Sequence, residues 1–146
     1  MPKKITIPKE FMDQLDIFRK NRSNEWEIRY RLSTKRLLSS MFFLVSSKSA
    51  YNRGNKLLSA IGYYYSLFHL SKALLFLLPN YTVEQLTRIR HKKVQNLIKT
   101  NFVEKHMLPS EFLEVFEYTK KIREATNYGQ DTWINLSKLL KENESR

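Results

Sequence analysis

The chain has 146 residues, with 26 Lys and Arg against 14 Asp and Glu, a formal net charge of +12. It contains no cysteine, three glycines and four prolines. Disulfides and thiolate metal sites are therefore excluded, and the strand-turn-strand punctuation of an all-β domain is missing. The size corresponds to one domain, able to bury roughly two-thirds of its unfolded surface. The expected fold class is all-α, a single up-and-down bundle of five or six helices spanning residues 1–146.

The charge is segmental. Residues 1–27 hold six bases and five acids, residues 107–146 hold six and seven, and residues 28–106 hold fourteen and two. From Ile28 to Val83 there is no acidic side chain at all. A basic middle of this kind points to a polyanion partner, with RNA or DNA first. The opening MPKKITIPKE lacks the apolar run of a secretion signal, so a cytoplasmic location is expected.

Taken in order, residues 1–7 read as a short arm. Pro8 suits the first position of a helix running to about Lys20, with Phe11, Leu15 and Phe18 on one side. After a polar break at 21–24, Asn24 and Glu27 form a capping-box pair that opens a second helix. Its expected inward stripe is Trp26, Tyr30, Leu37, Met41 and Leu44, with Arg29, Arg31, Lys35 and Arg36 exposed and the serines of 46–49 at its end.

The stretch from Asn55 to Pro79 reads as the buried axis of the bundle, about 37 Å long if fully helical. Leu57, Ile61, Tyr64, Phe68, Leu75 and Leu78 recur at helical spacing, while Lys56, His69, Lys72 and three tyrosines argue against a membrane span. Thr82 with Gln85 opens a short helix to about Ile89. RIRHKK, residues 88–93, then places four cations and a histidine in six positions, followed by Val94, Leu97, Ile98 and Phe102 as an apolar stripe. Pro109 starts a helix carrying Phe112, Val115, Phe116, Thr119 and Ile122 and ending near Tyr128 and Gly129. Asp131 caps a last amphipathic helix with Trp133, Leu136, Leu139 and Leu140.

Several side chains are candidates for chemistry. Arg88, Arg90, Lys92 and Lys93 form an exposed anion-binding cluster. His91 sits among them, so its cationic form is disfavoured, and a neutral imidazole there can take a proton beside a bound phosphate. Arg123 lies on an otherwise acidic and apolar helix, as a phosphate clamp or an interhelical ion pair. His69 and Lys72, one turn apart on the axial helix, read as a satisfied core histidine and its neighbour. Tyr63, Tyr64 and Tyr65 point in three directions and give no single stacking platform. The three histidines are too scattered for a zinc site, and no Gly-rich phosphate loop is present, so neither metal nor cofactor is expected.

Three pieces, in order, carry a family resemblance. Residues 63–75, YYYSLFHLSKALL, resemble the YYxxFxxxxALL core helix of the HEPN superfamily of small helical bundles. His91, Lys92 and Lys93 with the following apolar turns look like the HK…F segment of one uncharacterised group within that superfamily, and residues 123–129, REATNYG, are similar to the RxxxDYG ending of the same group. The resemblance implies an RNA-linked bundle, often a homodimer, found in toxin–antitoxin and other defence systems. Many members are metal-independent ribonucleases, and others pair with a small nucleotidyltransferase. In the nuclease members an Arg is followed four to six residues later by a His. The Arg stabilises the phosphate, and the His handles the proton of the ribose 2′-hydroxyl.

This chain departs from that pattern, because Asn127 and Tyr128 stand where the His would follow Arg123. A phenol with pKa about 10 is a poor base at neutral pH. The catalytic candidates are therefore Arg123, His91 and Tyr128, and the RNA-binding candidates are Arg88, Arg90, Lys92, Lys93 and Asn127. The expectation is an RNA-binding protein with a degenerate or non-standard ribonuclease motif. Its alternatives are a metal-independent endoribonuclease using Arg123 with His91, and a non-catalytic helical partner of a nucleotidyltransferase-type antitoxin.

Overall fold

A computed structural model of the chain describes residues 7–127. Helix α1 covers Lys9–Asn21, α2 Ser23–Asn52, α3 Lys56–Phe76, α4 Val83–Arg88 and α5 His91–Ile98. A π-helical turn, Lys99–Val103, continues α5, and α6 covers Glu111–Asn127. No strand occurs among the described residues, and the fold is an all-α helical bundle. Among the described residues, no helix is long and apolar enough to cross a membrane. The residues expected to form the last helix, 131–140, and the first six residues of the arm lie outside the described part.

Helix α3 is the axis that its apolar circumference predicts. Asn55 starts it by accepting a hydrogen bond from Leu58 N at 3.0 Å. It packs against α2, α4, α5 and α6. Tyr64, Leu75 and Phe76 meet Leu86 of α4, Val94 and Ile98 of α5 and Phe116 of α6 in one buried cluster. The capping box at Thr82 and Gln85 forms with both reciprocal bonds, at 3.1 and 3.0 Å. The expected box at Asn24 and Glu27 does not form. The break between α1 and α2 is the single residue Arg22, and α2 starts at Ser23 with no side-chain cap.

Helix α2 also turns the opposite face inward. Arg29 is 1% exposed, whereas Tyr30, Leu37, Met41 and Leu44 are 59, 44, 55 and 47% exposed, and of the expected stripe Trp26 alone is half-buried, against Phe18. The inward positions are Arg29, Ser33, Arg36, Ser40, Phe43 and Ser47, at alternating spacings of four and three. From α3 they meet Phe76, Ala73, His69, Ser66 and Gly62 in antiparallel register. Ser33 Oγ donates to Ala73 O at 2.9 Å, and the Ser40 and Ser66 hydroxyls bond at 3.2 Å.

The physical reason for the reversal is closeness. Small side chains at a contact let two helix axes approach, and a Cβ added to Gly62 would lie 2.0 Å from Ser47 Oγ. A Leu or Met stripe would hold the axes apart. Inward serines satisfy their hydroxyls within the seam, each bond contributing about 1 kcal/mol net. Ser47 Oγ bonds to Phe43 O at 2.5 Å, and α2 runs past the serines to Asn52. There Gly54, at φ +78°, closes the helix, with Asn55 N bonding to Ala50 O and Gly54 N to Tyr51 O, both at 2.9 Å.

Two buried cations tie the ends of helices together. Arg29 Nη1 donates to Phe76 O at 3.2 Å and Leu78 O at 2.9 Å, and Nη2 donates to Tyr81 O. Glu25 Oε1 accepts from Nε at 2.9 Å and from Nη2 at 2.7 Å. That contact holds the Glu25 carboxyl below its usual pKa. The guanidinium thus caps the carbonyl end of α3. Lys72, 2% exposed, does the same for α4 by donating to Leu86 O and, at 3.2 Å, to Thr87 O.

Candidate functional site

Lys72 decides how the chain leaves α4. With Leu86 O and Thr87 O held, Ile89 and Arg90 are extended and α5 begins at His91. The RIRHKK cluster is split by this turn. Arg88, Arg90, Lys92 and Lys93 line an open groove of about 740 Å³ together with Gln85 and Asn96. Arg88 also pairs with Glu84 at 3.1 Å, an exposed contact that contributes little. His91 faces the other way, into the bundle.

There the His91 ring lies on Phe68, with centroids 4.1 Å apart, and its Nδ1 bonds to the Tyr64 hydroxyl. Arg123, from α6, lies over the same Tyr64 ring at 5.2 Å and over Tyr65 at 5.8 Å. The structure therefore brings Arg123 and His91 together on one tyrosine, although 31 residues of chain separate them. Two adjacent tyrosines, expected to diverge, jointly seat the guanidinium. Arg123 Nε is buried and has no hydrogen-bond partner. Burial works against its charge, but the Tyr65 hydroxyl and Tyr64 outweigh that and raise its pKa. Asn127 is the final residue of α6, and Tyr128 lies outside the described residues.

A second imidazole stands nearby. Arg36 Nη1 lies 3.1 Å from His69 Nδ1, and the His69 ring stacks on Phe43 at 5.4 Å and 6°. A guanidinium only donates, so His69 accepts at Nδ1, carries its proton on Nε2 and is neutral. The expected core histidine is half-buried instead, with a cation as partner. Arg36, expected to be exposed, is half-buried as well.

The electrostatics follow from burial and from the lack of acids. His91 is pushed below the usual histidine pKa by burial first, then by Arg123, Lys120 and Lys72, with Glu124 opposing. Its neighbours in sequence are not the cause. His69 is lowered by burial, then by Arg36, Lys72 and His91. Lys72 falls to about 8 through burial and Arg36. Tyr64 rises to about 12, mainly through burial, and so keeps its proton. Beside fixed guanidinium groups, a neutral His91 can accept a proton, and a neutral His69 can donate its Nε2–H to an anion.

Arg36, Lys72, Tyr64 and Tyr65 were not picked out as site residues from sequence. One signal could have found the first two: with no acid between Ile28 and Val83, no carboxylate on α2 beyond Glu27 or on α3 exists to pair them. Comparison with known proteins finds no matching family model, no matching curated protein and no matching solved structure.

Proposed function

We propose that this chain is an RNA-binding protein of the HEPN type, working in a defence or toxin–antitoxin setting, in which Arg123 and His91 hold a backbone phosphate. One observation carries the reading: an arginine and a histidine from different helices meet on Tyr64, and the arginine keeps a buried Nε without a partner. Guanidinium geometry suits phosphate oxygens. The open groove lined by Arg88, Arg90, Lys92 and Lys93 supplies a basic flank for the rest of the strand.

The test is fluorescence anisotropy with single-stranded RNA at several salt concentrations. Affinity is expected to fall steeply with salt and to drop about tenfold in Arg123→Ala, a loss of ~1.4 kcal/mol. Absent binding, or binding indifferent to salt and to Arg123, would sink the proposal.

The lowered pKa of His91 favours a second reading, metal-independent RNA cleavage. In the tautomer that donates Nδ1–H to the Tyr64 oxygen, Nε2 holds the lone pair that takes the 2′-hydroxyl proton. The 2′-oxygen then attacks phosphorus, with Arg123 stabilising the added negative charge. The 5′-oxygen leaves as a hydroxyl on taking a proton from solvent water, to which the His91 imidazolium later gives up its own, leaving a 2′,3′-cyclic phosphate. Cleavage in the presence of a chelator, lost in His91→Gln, is the expected result. Intact RNA after long incubation reduces the function to binding.

The outward apolar face of α2 supports self-association. Leu38, Met41, Phe42 and Val45 are 62, 55, 68 and 69% exposed along one side. A two-fold contact needs only that one patch match itself. Sedimentation should give a dimer, and Leu38→Glu with Phe42→Glu a folded monomer. A wild-type monomer would instead favour a different partner for this face, such as a nucleotidyltransferase.

A further inference from the structure

We propose that Arg36 and His69 form a second phosphate subsite beside Arg123 and His91, so that the site grips two phosphates of one RNA strand. The inference rests on the RNA-binding reading and adds to it which residues hold the neighbouring nucleotide.

The arrangement around Arg36 differs from that of a structural arginine. Its bond at 3.1 Å goes to a neutral imidazole nitrogen, which accepts the hydrogen but leaves the charge uncompensated. Lys72 lies close enough for Arg36 to depress its pKa, and both cations act on His69. No carboxylate figures among the groups acting on either His69 or Lys72. Half-buried like charges without a counter-ion are costly to gather. A bound anion removes that cost; Lys72 is held by the α4 carbonyls and His69 stacks on Phe43, whereas among the described residues Arg36 has no bond in the seam except the one to His69.

The position fits a strand running past both centres. His69 and His91 both rest against Phe68, at centroid distances of 5.7 and 4.1 Å. His91 is also among the groups that shift His69. The two imidazoles, each with its own guanidinium, are therefore close enough for one or two nucleotide units to bridge. His69 Nε2–H is a donor for a phosphate oxygen, and Arg36 keeps further N–H groups for the same anion. Phosphodiester oxygens, negative and close-spaced, match this pair of centres.

The test compares wild type, Arg36→Gln, Arg36→Lys and Arg123→Ala on a 12-nucleotide single-stranded RNA across salt concentrations. Arg36→Gln is expected to weaken binding about five- to tenfold and to lower the slope of log K against log salt by about 0.7, one single-strand phosphate contact. Arg36→Lys keeps the charge and should restore the slope. If Arg36→Gln binds like wild type while Arg123→Ala is weakened, the second subsite is overturned and the RNA-binding reading stands. If neither variant changes binding, both fall. Should Arg36→Gln fail to fold, the His69 ring resonances of the wild-type protein decide the matter. They are expected to shift on titration with the RNA, and unmoved resonances at saturation overturn the subsite.

Discussion

Arg29 and Arg123 are both arginines withdrawn from solvent in a chain that carries twelve excess positive charges, yet their surroundings are opposite. Around Arg29, one carboxylate and three backbone carbonyls take up the guanidinium, at the point where α3 ends. Around Arg123 there are two tyrosine faces, the Tyr65 hydroxyl and the Glu124 carboxylate favouring its charge, a neutral histidine one ring away and a buried Nε with nothing bonded to it. The first cation is finished by the fold. The second is left open by it, and the difference separates a structural residue from a functional one better than burial or charge alone.

Four experiments sharpen the contrast, starting with the largest expected effect. Arg29→Ala strips the cap from α3, leaving three carbonyls unpaired and Glu25 with Arg22 at 3.4 Å as its remaining partner. The expected loss is about 3–5 kcal/mol in urea unfolding, the range for breaking a buried pair, with RNA affinity of the folded fraction unchanged. Arg29→Lys should not restore it, because an ammonium cannot reproduce the fork. A loss below 1 kcal/mol would place Arg29 with the open cations. Arg123→Ala inverts the pattern: stability should move by only about 0.5–1 kcal/mol, the size of a cation–π contact, while RNA binding drops.

Tyr64→Phe probes the joint between the two site residues. Removing the hydroxyl deletes one hydrogen bond, costing about 1 kcal/mol. The ring still seats Arg123, so binding should weaken less than in Arg123→Ala. Equal losses would mean that the His91 bond, and not the guanidinium, dominates.

Acidity gives the smallest effect. His69 and His91 have folded pKa values below their unfolded value of 6.5. Between those values the unfolded chain binds more protons, so stability rises with pH through the window and falls on acidification below about 6.5. A bound phosphate reverses the preference, because it favours the imidazolium. RNA affinity should therefore increase as pH drops from 7 through the same window. Affinity flat from pH 7 to 5 would separate the His91 imidazole from the anion, while His69, already an Nε2–H donor when neutral, would be untouched by that result.

Much of the architecture was legible before any coordinates. The α3 axis, the Thr82–Gln85 box and the Val94, Ile98 and Phe102 stripe are local patterns, set by side chains within a turn or two of one another. Helix α2 was misread because, apart from Phe43, its inward seam is Ser and Arg, which amphipathicity counts as solvent-facing, and its true outer face is apolar. Hydropathy ranks residues against water. It does not register that a serine can be the better neighbour when two backbones must close to contact. Among the site residues, His91 and Arg123 were legible from residue type and motif order, whereas Tyr65, Arg36 and Lys72 were not, since their roles depend on which helix arrives opposite them.

By itself the sequence determined the class of fold, the axial helix and a basic centre without acids, since composition and short-range periodicity suffice for each. Only the tertiary structure decided which cations are finished and which remain open. That outcome depends on carbonyls and rings delivered by distant elements: Phe76 and Leu78 to Arg29, Leu86 to Lys72, Tyr64 to both His91 and Arg123. A guanidinium has the same charge wherever it stands, and only its partners make it a bolt or a grip.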